Sequence, residues 1–147
     1  MLDFSKPMET TPKNAPVVLV IEDDAPIRHI IEYFLRQEGF RVEGAGSAEE
    51  GLALARRTPP SLILLDLSLP GLDGSAAVAL AREDPRLRDV PVILVSGQAP
   101  DDLGTSAAIT GAVDFLAKPF GRSDLVRRVR QWTDRLAESA PHQACSM

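Results

Sequence analysis

Three uninterrupted apolar runs punctuate the chain: Val17-Val18-Leu19-Val20-Ile21, Leu62-Ile63-Leu64-Leu65 and Val92-Ile93-Leu94-Val95. They are short, rich in branched side chains and free of polar alternation, the pattern of strands buried on both faces of a parallel sheet. Two weaker runs, Phe40-Arg41-Val42-Glu43 and Ala112-Val113-Asp114-Phe115-Leu116-Ala117, supply a second and a fifth strand in chain order. Helical spacing fills the intervals. Ile27, Ile30, Ile31, Phe34 and Leu35 recur behind Pro26, a good first-turn residue, and Gly39 closes that segment. Ser47 and Glu50 form a capping-box signature ahead of 52–57, and residues 75–82 read as helix. Residues 101–110 carry Gly104 and several poor helix formers, the weakest helical pattern of the set. Leu125, Val129, Trp132 and Leu136 mark a last helix, with Ser123 as its expected cap. Strand and helix thus alternate about five times, which predicts a doubly wound α/β fold with right-handed crossovers.

In such a sheet, ligands bind outside the carboxyl ends of the strands. Those ends carry the chain's chemistry. Glu22, Asp23 and Asp24 follow the first run, Asp66 the second and Ser96-Gly97 the third, while Lys118-Pro119 follows the last strand. Alone, Asp66 reads equally well as a cap of the turn that follows it. Together these residues read as a site. Clustered carboxylates stay ionised near neutral pH only beside a divalent cation or a lysine. A ligand set of oxygens alone favours a hard ion such as Mg2+, which keeps waters and leaves room for phosphate. A serine hydroxyl and a lysine ammonium opposite that ion suit the oxygens of a phosphoryl group on Asp66. Asp24 reads as a helix-start acid at the positive end of the helix dipole.

Composition narrows the partners. The 147 residues make one domain, and 16 basic against 21 acidic side chains give a net charge of −5, so nothing draws the chain globally to nucleic acid or anionic membrane. The cluster Arg127, Arg128, Arg130 and Arg135 reads as a solvated helix face, and His29 and His142 as solvent-facing side chains rather than phosphate carriers. The lone Cys145 forms neither an internal disulfide nor a metal cluster. No segment has the roughly 18 apolar residues of a membrane span, and the first residues lack a signal-peptide core. A cytoplasmic location is the expectation. Residues 1–15 and 138–147 read as mobile tails around a domain at 16–137.

The set VLVIEDD, LLDLSLPGLDG, VSG and AKPF, in this order and spacing, closely resembles the receiver domain of bacterial two-component response regulators, over roughly residues 15–137. The resemblance implies a flavodoxin-like, five-stranded parallel sheet in the order 2-1-3-4-5 flanked by five helices. It implies Glu22 and Asp23 as the acidic pair, Asp66 as phosphoacceptor, and the Ser68 carbonyl as a further Mg2+ ligand beside the three carboxylates. Ser96 and Lys118 complete the catalytic set, Ser96 and Phe115 are the switch pair, and the Lys118-Pro119 bond is cis. Ser68 and Gln98 occupy positions that tune phosphate lifetime in the family, so that lifetime is not legible here.

The implied function is a stand-alone receiver that takes a phosphoryl group onto Asp66 from a sensor histidine kinase or a histidine phosphotransfer protein. Its output passes to a downstream protein target through the fourth helix, fifth strand and last helix, with homodimerisation through the last helix as one form. Two rivals remain: a constitutive receiver-like scaffold, and a Mg2+-dependent aspartyl phosphatase. The latter needs a second acid near the nucleophile, and Asp66-Leu67-Ser68 lacks it.

Overall fold

The computed structural model describes residues 15–66, 74–96 and 114–145. Its elements are β1 (Val17–Ile21), α1 (Ala25–Gln37), β2 (Arg41–Ala45), α2 (Ala48–Arg57), β3 (Leu62–Asp66), α3 (Gly74–Glu83), β4 (Val92–Ser96), β5 (Asp114–Ala117) and α4 (Arg122–Cys145). The strands form one parallel sheet in the order β2-β1-β3-β4-β5, as expected. Four helices are present among the described residues. The expected fifth, at 101–110, lies outside them, as do Ser68 and Gln98.

The apolar runs lack polar alternation because both faces of the sheet are covered. Successive side chains of a strand point to opposite faces. Val18, Val20, Leu62, Leu64, Ile93 and Val95 pack with Ile31 and Leu35 of α1 and with Leu125 and Val129 of α4. Leu19, Ile21, Ile63, Leu65, Val92 and Leu94 pack on the other side with Ala48, Leu52 and Ala55 of α2 and Ala77, Val78 and Ala81 of α3. This burial of branched side chains supplies most of the driving force, at about 25 cal/mol per Å² of apolar surface removed from water.

Local signals set the helix starts nearest the strand ends. Asp24 caps α1 by accepting the Ile27 N–H at 3.1 Å, with Pro26 in the first turn, while Gly39 leaves the helix with φ of 93°, a conformation only glycine adopts freely. Ser47 caps α2 through the Glu50 N–H at 3.1 Å, and the Glu50 carboxylate reaches back to the Gly46 N–H at 3.0 Å, a reciprocal arrangement that holds the β2–α2 turn.

Helix α4 departs from expectation at both ends. It begins at Arg122, so Gly121 precedes it and Ser123 lies inside the first turn rather than capping it. It continues to Cys145 rather than ending near residue 137, which brings His142 and the segment read as a tail into its span. Ala137, Glu138, Ala140, Gln143 and Ala144 are good helix formers, and they carry the helix through Pro141 despite its lost backbone donor and the crowding of its ring against the preceding turn. Among the described residues, no helix is long and apolar enough to cross a membrane.

Candidate functional site

The parallel register brings the carboxyl ends of β1, β3, β4 and β5 to one edge, since Ile21 lies beside Leu65, Asp66 beside Val95 and Ser96 beside Ala117. Four side chains from three distant parts of the sequence meet there. Asp66, at 2% exposure, and Glu22, at 3%, are buried carboxylates, whereas Asp23 is exposed. Carboxylate oxygens of Glu22, Asp23 and Asp66 all lie within 4.8 Å of one another. Lys118 enters from beyond β5 and bridges two of them, with Nζ 3.2 Å from Glu22 Oε1 and 3.3 Å from Asp66 Oδ2.

Backbone contacts aim these side chains. The Lys118 N–H donates to the Ser96 carbonyl at 2.7 Å, tying the lysine's origin to the end of β4, and the Lys118-Pro119 bond is cis. The Glu22 N–H donates to the Ala45 carbonyl at 3.0 Å. The Asp24 N–H donates to Glu22 Oε2 at 3.2 Å, so Asp24 and Lys118 hold opposite oxygens of the same carboxylate. Asp24 itself turns away to cap α1 and is not part of the carboxylate cluster. Ser96 is buried at the end of β4, while Phe115 is half-buried and packs against the α2/α3-side core, two register positions from the Ser96–Ala117 pair.

The electrostatics follow from this crowding. Burial, followed by the hydrogen bond and charge of Asp66, raises the Glu22 pKa from the ordinary 4.5 to about 7, against the opposing Asp24 N–H and Lys118 contacts. Burial also works against the Lys118 charge, but the Asp66 and Glu22 carboxylates outweigh it and hold the ammonium above its ordinary pKa. For Glu22 the folded value lies above the unfolded one, so the native state binds the extra proton and its stability falls as pH rises from about 4.5 through about 7. Thermal melts of the metal-free protein between about pH 5 and 8 therefore show a declining Tm from this group, worth at most ~3 kcal/mol. A Tm that climbs over this range contradicts the buried-acid geometry.

Several contacts had no counterpart in the sequence reading. Arg28 Nη1 donates to the Glu22 carbonyl at 2.6 Å. The only sequence hint was its position one turn after Asp24, with Glu32 four residues on. Asp114, read only as part of a strand, accepts from Arg128 Nη1 at 2.7 Å and Trp132 Nε1 at 3.2 Å and so ties β5 to α4. Arg127 pairs with Asp124 at 2.9 Å and Arg130 with Glu38 at 2.6 Å, so these members of the arginine cluster have acidic partners. His29 is exposed on α1.

Residues 18–130 match the family model described as the response regulator receiver domain. The chain belongs to this two-component, CheY-like family. It is 36% identical over 132 residues to the DNA-binding dual master transcriptional regulator RpaA of Synechocystis sp., a match covering 86% of this chain and 54% of the relative. The chain thus spans about half the length of that curated relative. A CheY-like receiver domain protein from Methanospirillum hungatei superposes with a TM-score of 0.79 at 26% identity, covering 86% of this chain and 99% of the other. The receiver domain of a sensor histidine kinase from Pseudomonas aeruginosa PAO1, solved with a magnesium ion coordinated in its active-site cleft, gives a TM-score of 0.75 at 32% identity and covers 82% and 98%. Receiver domains are signalling proteins that interact with histidine kinases or phosphotransfer proteins and hold Mg2+ in their acidic site. The donor set here, three carboxylates within 4.8 Å and no sulfur or nitrogen ligand among them, fits that ion.

Proposed function

We propose that this receiver domain accepts a phosphoryl group on Asp66 from the phosphohistidine of a sensor kinase or phosphotransfer protein and passes the signal to a protein partner. The observation that carries the reading is the buried Asp66 carboxylate at the end of a central strand, 3.3 Å from Lys118 Nζ and beside Glu22 and Asp23. In the step, an Asp66 carboxylate oxygen attacks phosphorus as the histidine P–N bond breaks, and the departing imidazole takes up a proton. In this reading Lys118 neutralises a phosphoryl oxygen and the Ser96 hydroxyl donates to another, supported by the Lys118 Nζ contact to Asp66 at 3.3 Å and by the position of Ser96 at the end of β4.

Glu22, Asp23 and Asp66, with the Ser68 carbonyl that the family pattern adds, would hold Mg2+, which would supply positive charge against the phosphate. Burial of Asp66 and Glu22 keeps bulk water from screening these interactions. The test is incubation with a small phosphodonor and Mg2+, followed by intact mass and site mapping. One phosphoryl group on Asp66 supports the reading; uptake elsewhere, or none, rejects it.

Output is assigned to Ser96 and Phe115. A phosphoryl group that draws the Ser96 hydroxyl toward it vacates space beside the half-buried Phe115, so a local charge change becomes a packing change at β5 on the face of the sheet where Phe115 packs. Such coupling is typically ~1–3 kcal/mol. Ser96→Ala accordingly leaves Asp66 phosphorylatable while removing most of the effect of phosphorylation on partner affinity, about 5- to 150-fold in the wild-type protein. Amide exchange at Phe115 with and without beryllofluoride, a phosphoryl mimic, checks this. An identical exchange change in wild type and Ser96→Ala counts against the switch assignment.

A further inference from the structure

We infer that Arg28 is a positioning residue for the metal-binding acids, acting as a clamp on the backbone of Glu22. The inference rests on the metal site proposed above. Both backbone polar groups of Glu22 are engaged: its N–H by the Ala45 carbonyl at 3.0 Å, its carbonyl by Arg28 Nη1 at 2.6 Å. The Glu22–Asp23 peptide therefore lies between the end of β2 and the first turns of α1, anchored on both sides where the two acids leave it. A carbonyl held by a guanidinium makes a charge-assisted bond, roughly twice as strong as a neutral one.

The arginine is itself held in place. Its Nε lies 3.8 Å from Glu32 Oε2, and Glu32, only 8% exposed, is shared with Arg36 at 3.6 Å. Gly44 of β2 makes the room for this arrangement. A Cβ at that position would collide with the Glu32 carboxylate and come within 3.2 Å of Arg28 Cδ. A buried acid beneath a bare glycine, flanked by two arginines, is a costly arrangement unless the orientation it enforces is used. What it orients is the guanidinium on Glu22, and outer partners of metal ligands typically change metal affinity by about 10–100-fold when removed.

The sign of the effect separates a clamp from a charge. If Arg28 acted through its charge alone, removing a cation beside an acidic site would tighten Mg2+ binding. As a clamp, its loss loosens Glu22 and Asp23 and weakens binding. Arg28→Met keeps the aliphatic stem over Gly44, and Arg28→Lys keeps the charge while losing the fork that spans carbonyl and carboxylate.

The experiment is calorimetric titration of the folded protein with Mg2+ alone, alongside phosphorylation by a small phosphodonor across Mg2+ concentrations. The expected result is a Kd about tenfold higher in Arg28→Met and about threefold higher in Arg28→Lys. Phosphorylation slows at limiting Mg2+ and recovers toward the wild-type rate at saturation. Unchanged or tighter Mg2+ binding in either variant overturns the clamp, even if Tm falls. If Arg28→Met does not fold, the lysine variant decides by the same criterion. Wild-type protein that fails to bind Mg2+ overturns the metal-site reading as well, an outcome distinct from a variant that matches a binding-competent wild type.

Discussion

Asp66→Asn abolishes phosphoryl uptake while leaving the protein folded and at least as stable. The loss is complete because an amide nitrogen or neutral carbonyl oxygen does not replace the carboxylate oxygen that attacks phosphorus, and among the described residues no other carboxylate ends strand β3 or β4 within reach of Lys118. Stability is retained because the substitution keeps the side-chain volume and removes one negative charge from a site where three carboxylates lie within 4.8 Å. The same change relaxes Glu22. Burial would still raise its pKa, but the hydrogen bond and charge contributed by Asp66 would be gone, so the value falls from about 7 toward the ordinary range. Intact mass after treatment with phosphodonor and Mg2+ measures the first effect, and the pH dependence of Tm the second. Stoichiometric phosphorylation of the variant would falsify the assignment of Asp66.

Removing divalent cations stops phosphorylation of the wild-type domain, with an expected slowing of about 100-fold or more. Without the cation, a phosphoryl group must approach the three carboxylates of Glu22, Asp23 and Asp66, with the Lys118 ammonium bonded to Glu22 and Asp66. The stabilisation lost is several kcal/mol, and each ~1.4 kcal/mol is tenfold in rate. Rates measured in chelator and after Mg2+ is restored check this; undiminished transfer in chelator rejects the metal assignment. Asp23→Asn separates the acid's two effects. Without metal the variant melts at or above wild type, because repulsion is relieved. With Mg2+ at about 100 times the wild-type Kd, wild type gains ~2.7 kcal/mol and the variant much less. A clear loss of stability in metal-free Asp23→Asn counts against the clustered-acid picture.

Among the described residues, the amino-acid sequence by itself determined the element types and the polar ends of the strands. Continuous branched runs at 17–21, 62–65 and 92–95 specify doubly covered strands whatever their neighbours are, and the 3.6-residue spacing from Ile27 to Leu35 specifies a one-sided helix. Caps such as Asp24 and Ser47 act within three residues and are legible for the same reason. The length of α4 was not legible in this way, because proline and polar residues near 141 mask a stretch of adequate helix formers.

Tertiary structure alone decided which of the strand-end residues touch. Lys118 lies 96 residues from Glu22 and 52 from Asp66, and the sheet order and register bring Nζ within 3.3 Å of both. The raised Glu22 pKa exists only in that packing, since burial and Asp66 cause it. The Arg28 contact follows the same logic. Its target is a backbone carbonyl, which carries no sequence signature, and its room depends on Gly44 of a neighbouring strand. Periodicity reports which face a residue occupies; only the assembled sheet sets which long-range pairs of faces and ends meet.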